Sequence, residues 1–161
     1  MKRAVSVSVL TCLVAGMFAI TTFAQELAFL APVIGSNPGI AIAGVQSGGA
    51  PWTVKRAFAF LTDNGRLRVD VRGLILPSTG NTGPVTEVSA SVVCADVVAA
   101  TSTAVPLSID GNAEIHAKLQ VPSPCFATVI LVRVAGVNGA TLSSPGPWIA
   151  ASGVAKDSDD N

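Results

Sequence analysis

The chain has 161 residues, 10 Lys+Arg against 10 Asp+Glu, one His, no Tyr and three Cys, with 50% of its residues apolar and 12% charged. That length suits one domain, or one domain with a tail. Balanced charge gives no general electrostatic pull toward nucleic acid or an anionic membrane, and so high an apolar fraction excludes a disordered chain.

Lys2 and Arg3 precede the uncharged run Ala4–Ile20, and Thr22-Phe23-Ala24 follows it. Basic, apolar and small-residue regions in that order make a secretory signal peptide over residues 1–24, with cleavage after Ala24. The alternative is a retained anchor, for which the run stands at the short limit of a bilayer span. Cleavage leaves no stable membrane span and places the product outside the cell, with the periplasm or the cell surface as alternatives. Cys12 departs with the signal, and Cys94 and Cys125 remain. In an oxidising compartment that even pair reads as a disulfide, against a half metal site or two free thiols.

From Gln25 to Pro51 the chain is rich in Gly, Pro and Ala and turns at Asn37-Pro38-Gly39. Residues 25–51 therefore read as an irregular lead-in holding at most one edge strand. Trp52, Val54, Phe58 and Phe60 alternate with Thr53, Lys55, Ala57 and Ala59, which predicts a strand with its aromatic face in the core. Asp63-Asn64-Gly65 supplies a hairpin turn. The return strand points Leu67, Val69 and Val71 one way and Arg68, Asp70 and Arg72 the other.

After the polar loop Ser78–Pro84, Val88, Ala90, Val92 and Cys94 form the inner face of a further strand, with Glu87, Ser89 and Ser91 outward. Val97–Ala100 and Val105–Ile109 read as short strands, and Asp110-Gly111-Asn112 as a turn. Ala113, Ile115, Ala117, Leu119 and Val121 then alternate with Glu114, His116, Lys118 and Gln120. Phe126–Val134 is apolar on both faces apart from Thr128 and Arg133, the pattern of a central strand. Trp148–Ala151 is a last short strand, and residues 154–161 are a charged tail.

About seven short strands between turn signals over residues 52–153 predict an all-β fold, an antiparallel β-sandwich of Ig-like or Greek-key type. A small β-barrel is the alternative. The Cys94–Cys125 bridge would pin two core strands.

Gly49-Ala50-Pro51-Trp52, Gly65-Arg66-Leu67, Val69 to Leu74, Cys94, Asp110-Gly111-Asn112-Ala113, Pro124-Cys125 and Trp148-Ile149-Ala150 together resemble a group of small secreted bacterial proteins of unknown function. The similarity runs from about Gly48 to Ser152. Its motifs are turn glycines, core aromatics and the cysteine pair, so it implies a shared fold and carries no catalytic residue over.

Chemistry is sparse. His116, the sole histidine, stands on a polar strand face between Glu114 and Lys118. A hydrolase would need it as base for a serine or threonine, with an aspartate orienting it, and no G-x-S-x-G elbow occurs. One His and two bridged Cys do not make a zinc site, and the acidic tail lacks the glycine and distal glutamate of a calcium loop. No catalytic, cofactor or metal residue is assigned. Arg68 and Arg72, with Arg66 nearby, are a candidate anion site that Asp70 partly neutralises. Trp148, following Pro147 in a loop, is the candidate platform for a sugar.

These features fit an exported, non-enzymatic structural or interaction module whose partner is an extracellular protein or a glycan, with self-association through the terminal strands as an option. A secreted sugar- or ligand-binding domain is the alternative, and a hydrolase using His116 comes third. Intact mass spectrometry of the exported protein should find a chain starting at Gln25 that takes up two alkyl groups only after reduction. A retained leader, or alkylation without reduction, would contradict the export reading.

Overall fold

A computed structural model describes residues 27–153. Residues 1–24, where a signal peptide is expected, Cys12 within them and residues 154–161 lie outside the described residues. The fold is all-β and antiparallel, built from β1 (Leu27–Gly35), β2 (Ala41–Ile42), β3 (Val45–Gln46), β4 (Arg56–Thr62), β5 (Arg66–Arg72), β6 (Val85–Cys94), β7 (Val97–Thr101), β8 (Val105–Pro106), β9 (Ala113–Lys118), β10 (Val129–Val137), β11 (Ala140–Thr141) and β12 (Trp148–Ser152). More segments occur than the expected seven or so because β2, β3, β8 and β11 are two-residue pieces and β1 lies in the supposed lead-in.

One sheet runs β7-β6-β10-β12-β1-β4-β5-β9, with β8 paired to β6 and β11 to β10. It curls as a half-barrel, so that its inner face closes on itself. Leu67, Val69, Val71 and Ile115 from one half share a core with Val88, Val92, Ile130 and Val132 from the other. Each such side chain, fully buried, contributes about 1.5–3 kcal/mol of apolar transfer.

β1 joins the halves. Leu27–Pro32 pairs with β4, and Val33–Gly35 pairs with β12. The expected edge strand is therefore a central one, and Pro32 sits at the changeover between partners, where a missing amide hydrogen costs least. Phe29, Ala31 and Val33 alternate with Leu30 and Pro32, a strand pattern that Ala and Pro make faint. The strand order ends at β7 and β9, while each part of β1 pairs along one side, the first with β4 and the last with β12.

The clearest sequence patterns survive, although β9 ends at Lys118 and leaves out Leu119 and Val121. β5 and β9 bury Leu67, Val69, Val71, Ala113 and Ile115 and turn their charged residues outward. The β4–β5 hairpin closes where the Gly65 amide donates to the Thr62 carbonyl at 2.9 Å, with Gly65 at φ 81°. A Cβ there would also overlap the Leu119 carbonyl oxygen.

Two expectations change. Ser89 and Ser91 are buried, because the β2–β3 hairpin packs Ile42 and Val45 against Val93, Leu131 and Trp148 on the far side of β6, β10 and β12. The central strand begins at Val129, and Phe126 before it is exposed. Arg133 on that strand is held by the loop carbonyls of Gly146, at 2.8 Å, and Pro145; burial lowers its pKa.

Cys94 and Cys125 are bonded, tying the end of β6 to the loop before β10 across a separation of 31 residues. In the chain-entropy account a loop of that size stabilises by about 3–4 kcal/mol. The double variant Cys94→Ala/Cys125→Ala should lose about that much in denaturant unfolding. A loss below about 1 kcal/mol would mean that the bridge leaves the unfolded chain unconstrained.

Candidate functional site

The outer face of β4, β5 and β9, flanked by β1, gathers most of the chain's polar chemistry. Alternation puts Arg56, Phe58 and Phe60 outward on β4, Arg66, Arg68, Asp70 and Arg72 on β5, and Glu114, His116 and Lys118 on β9. Register aligns them in rows. Phe60, Arg68 and His116 form one row, and Phe58, Asp70 and Glu114 form the next. Leu30 and Pro32 of β1 stand beside Phe60 and Phe58.

Phe58 and Phe60 are 49% and 38% exposed, and Leu30 58%. This reverses the expected core placement of both phenylalanines; the residues that enter the core are Ala57, Ala59 and Leu61. The alternation that begins at Trp52 breaks at Lys55, since Lys55 and Arg56 are both exposed. There the Lys55 amide is shared between the carbonyls of Arg72 and Gly73, and Gly73 adopts φ 67°. A shift of one residue turns every later side chain to the opposite face. The signal was present across the hairpin: Leu61 pairs with Leu67 and Ala59 with Val69, so the clear pattern of β5 fixes which face of β4 is inner.

Trp52 does lie in the core. Trp148 is only 4% exposed and packs with Leu131 and Val93 under the β2–β3 hairpin. It is no platform for a sugar. Its burial follows from a strand position between β10 and β1 rather than a loop position.

Arg68 and Arg72 do share one face, joined by cations that sequence spacing left apart. Lys55, Arg56, Arg66, Arg68, Arg72 and Lys118 are six of the seven Lys and Arg side chains among the described residues. Arg68 binds Asp70 through Nε at 2.7 Å and Nη2 at 3.3 Å, and Arg72 pairs diagonally with Glu114. Hydrogen bonding to Asp70, then its charge, pushes the Arg68 pKa further up, so this guanidinium keeps its charge wherever the protein folds. Lys118 donates to the Asn64 carbonyl. Arg56 and Arg66 have no ion-pair partner among the described residues.

Two hollows lie on the face. Phe60, Arg66, Arg68, His116 and Lys118 line one of about 600 Å³. Arg56, Phe58, Arg68, Asp70, Arg72 and Glu114 line another of about 380 Å³. Thr62 is the one hydroxyl side chain, and no serine, among the residues that line the hollow at His116.

Ligand atoms of Asp70, Glu114 and His116 come within 4.8 Å of one another, a grouping across two strands that sequence spacing could not reveal. Both carboxylates already hold guanidinium groups. A cation seated there would have to displace Arg68 and Arg72 together.

No family model, curated protein or solved structure matches the chain.

The face is also arranged against its own stability. Arg56 stands directly opposite Arg72, and Arg66 opposite Lys118, and like charges so placed repel. Replacing the two unpaired arginines, Arg56→Gln/Arg66→Gln, should leave the unfolding free energy unchanged or raise it by up to about 1 kcal/mol. A clear loss in denaturant unfolding would show instead that these side chains hold the fold.

Proposed function

We propose that the protein is an exported, non-enzymatic interaction module that binds its ligand across the outer face of β4, β5 and β9. The observation that carries this is the outward placement of Phe58 and Phe60 between an apolar column, Leu30 and Pro32, and two charged columns on β5 and β9. A globular domain gains nothing in water from exposing two adjacent phenylalanines while alanines occupy the core side of the same strand. Contiguous exposed apolar groups rimmed by polar ones are the usual form of a binding surface.

Export is supported by the basic, apolar and small-residue order of residues 1–24. The Cys94–Cys125 bridge suits an oxidising compartment, and the resemblance to small secreted bacterial proteins points the same way. A sugar-binding role fits the face better than a purely structural one, because a sheet face carrying aromatic rings and hydrogen-bonding side chains suits a ring with one apolar side and several hydroxyls. The loops Ser78–Pro84 and Asn138–Pro147 carry no aromatic side chain and are the weaker choice for a contact surface.

A panel of neutral and acidic oligosaccharides should contain ligands for the wild-type protein. The variant Phe58→Ala/Phe60→Ala should lose them by about tenfold or more in affinity while keeping its unfolding midpoint. Ligands retained by the variant would place binding elsewhere on the molecule.

A further inference from the structure

We infer that this face takes an acidic polysaccharide, a chain whose carboxylate or sulfate groups are separated by stretches of neutral hydroxyls. The inference rests on the proposed binding role of the face and names the class of its ligand.

Charge complementarity is the first ground. Lys55, Arg56, Arg66, Arg68, Arg72 and Lys118 stand on or beside three adjacent strands, opposed by Asp70 and Glu114 on the strands and by Asp110 in the hollow at Lys55, Arg56 and Arg72. Arginine predominates, and its planar fork matches carboxylate and sulfate better than an ammonium does. Opposed like charges at Arg56–Arg72 and Arg66–Lys118 repel while the face is empty. An anion between them turns each repulsion into attraction on both sides.

The order of the rows selects among polyanions. Along β5 the outward residues are Arg66, Arg68, Asp70 and Arg72, each about 7 Å from the next by the rise of a strand. Two basic rows are followed by an acidic row, Asp70 with Glu114, and then by an end where Arg72, Arg56 and Lys55 outnumber Asp110. A nucleic acid carries a charge on every unit and would set a phosphate over the acidic row. A glycan can set neutral hydroxyls there, which donate to carboxylate oxygens, and keep its own acidic groups for the rows on either side. Phe60 lies in the last basic row before the acidic one and Phe58 in the acidic row, so each offers a ring face to a sugar at a different point along the chain. The two hollows, one around Phe60 and one around Phe58, would then hold successive parts of one polymer.

Calorimetric titration of the intact, disulfide-bridged protein tests this with four probes: polygalacturonate, heparin, neutral dextran and oligo(dT). Each is measured at about 0.05 M and about 0.5 M NaCl, a range over which the screening length falls by about threefold. Binding of polygalacturonate or heparin is expected, at least about tenfold tighter than dextran or oligo(dT) and weakened by about tenfold or more at the higher salt. Arg56→Gln/Arg66→Gln should weaken that binding by about fivefold or more without lowering the unfolding midpoint. Dextran bound equally well and without salt dependence would overturn the acidic class while leaving the face as the site, provided Phe58→Ala/Phe60→Ala abolishes it. Tighter binding of oligo(dT) would overturn the inference in favour of nucleic acid. Failure of both acidic glycans at low salt, or their undiminished binding by the arginine variant, would also overturn it.

Discussion

The divided pairing of β1 is the constraint from which the rest of the architecture follows. Its first part hydrogen-bonds to β4 and its last part to β12, so one nine-residue strand holds both halves of the curled sheet. The chain leaves β1 through a narrow passage. Ser36 donates to the Ile149 carbonyl at 3.0 Å and accepts from the Trp52 amide at 2.8 Å, while a Cβ on Gly35 would overlap the Trp52 carbonyl. Only a residue without a side chain lets the backbones approach this closely. Trp52 is then carried into the core, and the two halves are fixed at the spacing their small and branched side chains require.

From that spacing follows the identity of the outer face. β4 must present Ala57, Ala59 and Leu61 inward, since its partner β5 presents Val71, Val69 and Leu67 at the same rows. The opposite choice would carry Arg56 into an apolar core with no carboxylate to meet it, at a cost far above that of exposing two phenylalanine rings. Phe58 and Phe60 are thus outside because they share a face with Arg56. The aromatic and basic character of the surface comes from one decision of strand parity.

How much of this could be read in the sequence depended on how strongly each strand contrasts its two faces. β5 and β9 separate apolar from charged residues completely, and both were legible without a structure. The cysteine pair was legible from compartment logic. β4 was ambiguous because Lys55 shares parity with the alanines and Arg56 with the phenylalanines, so periodicity alone gave two answers and the ring size favoured the wrong one. β1 hid behind alanine and proline. Ser89 and Ser91 looked like a solvent face, yet a hairpin far away in sequence covers them, and Ser91 meets the Thr101 hydroxyl at 2.8 Å instead of water. The clustering of cations depended on the pairing of β9 with β5, which no local pattern encodes.

Folding alone gives no reason for the composition of the β4–β5–β9 face. Its two ion pairs, Arg68–Asp70 and Arg72–Glu114, are solvent-exposed, and exposed pairs contribute between nothing and about 1 kcal/mol each. Two rows place like charges opposite each other and cost a comparable amount. The face is therefore close to neutral for stability, while the core beneath it holds the sheet. Glutamine or threonine at Arg56 and Arg66 would serve a strand as well, with less repulsion and stronger β preference in the case of threonine. Cations kept where they repel one another, beside rings kept where they meet water, make sense once a ligand with anionic groups and apolar ring faces covers both.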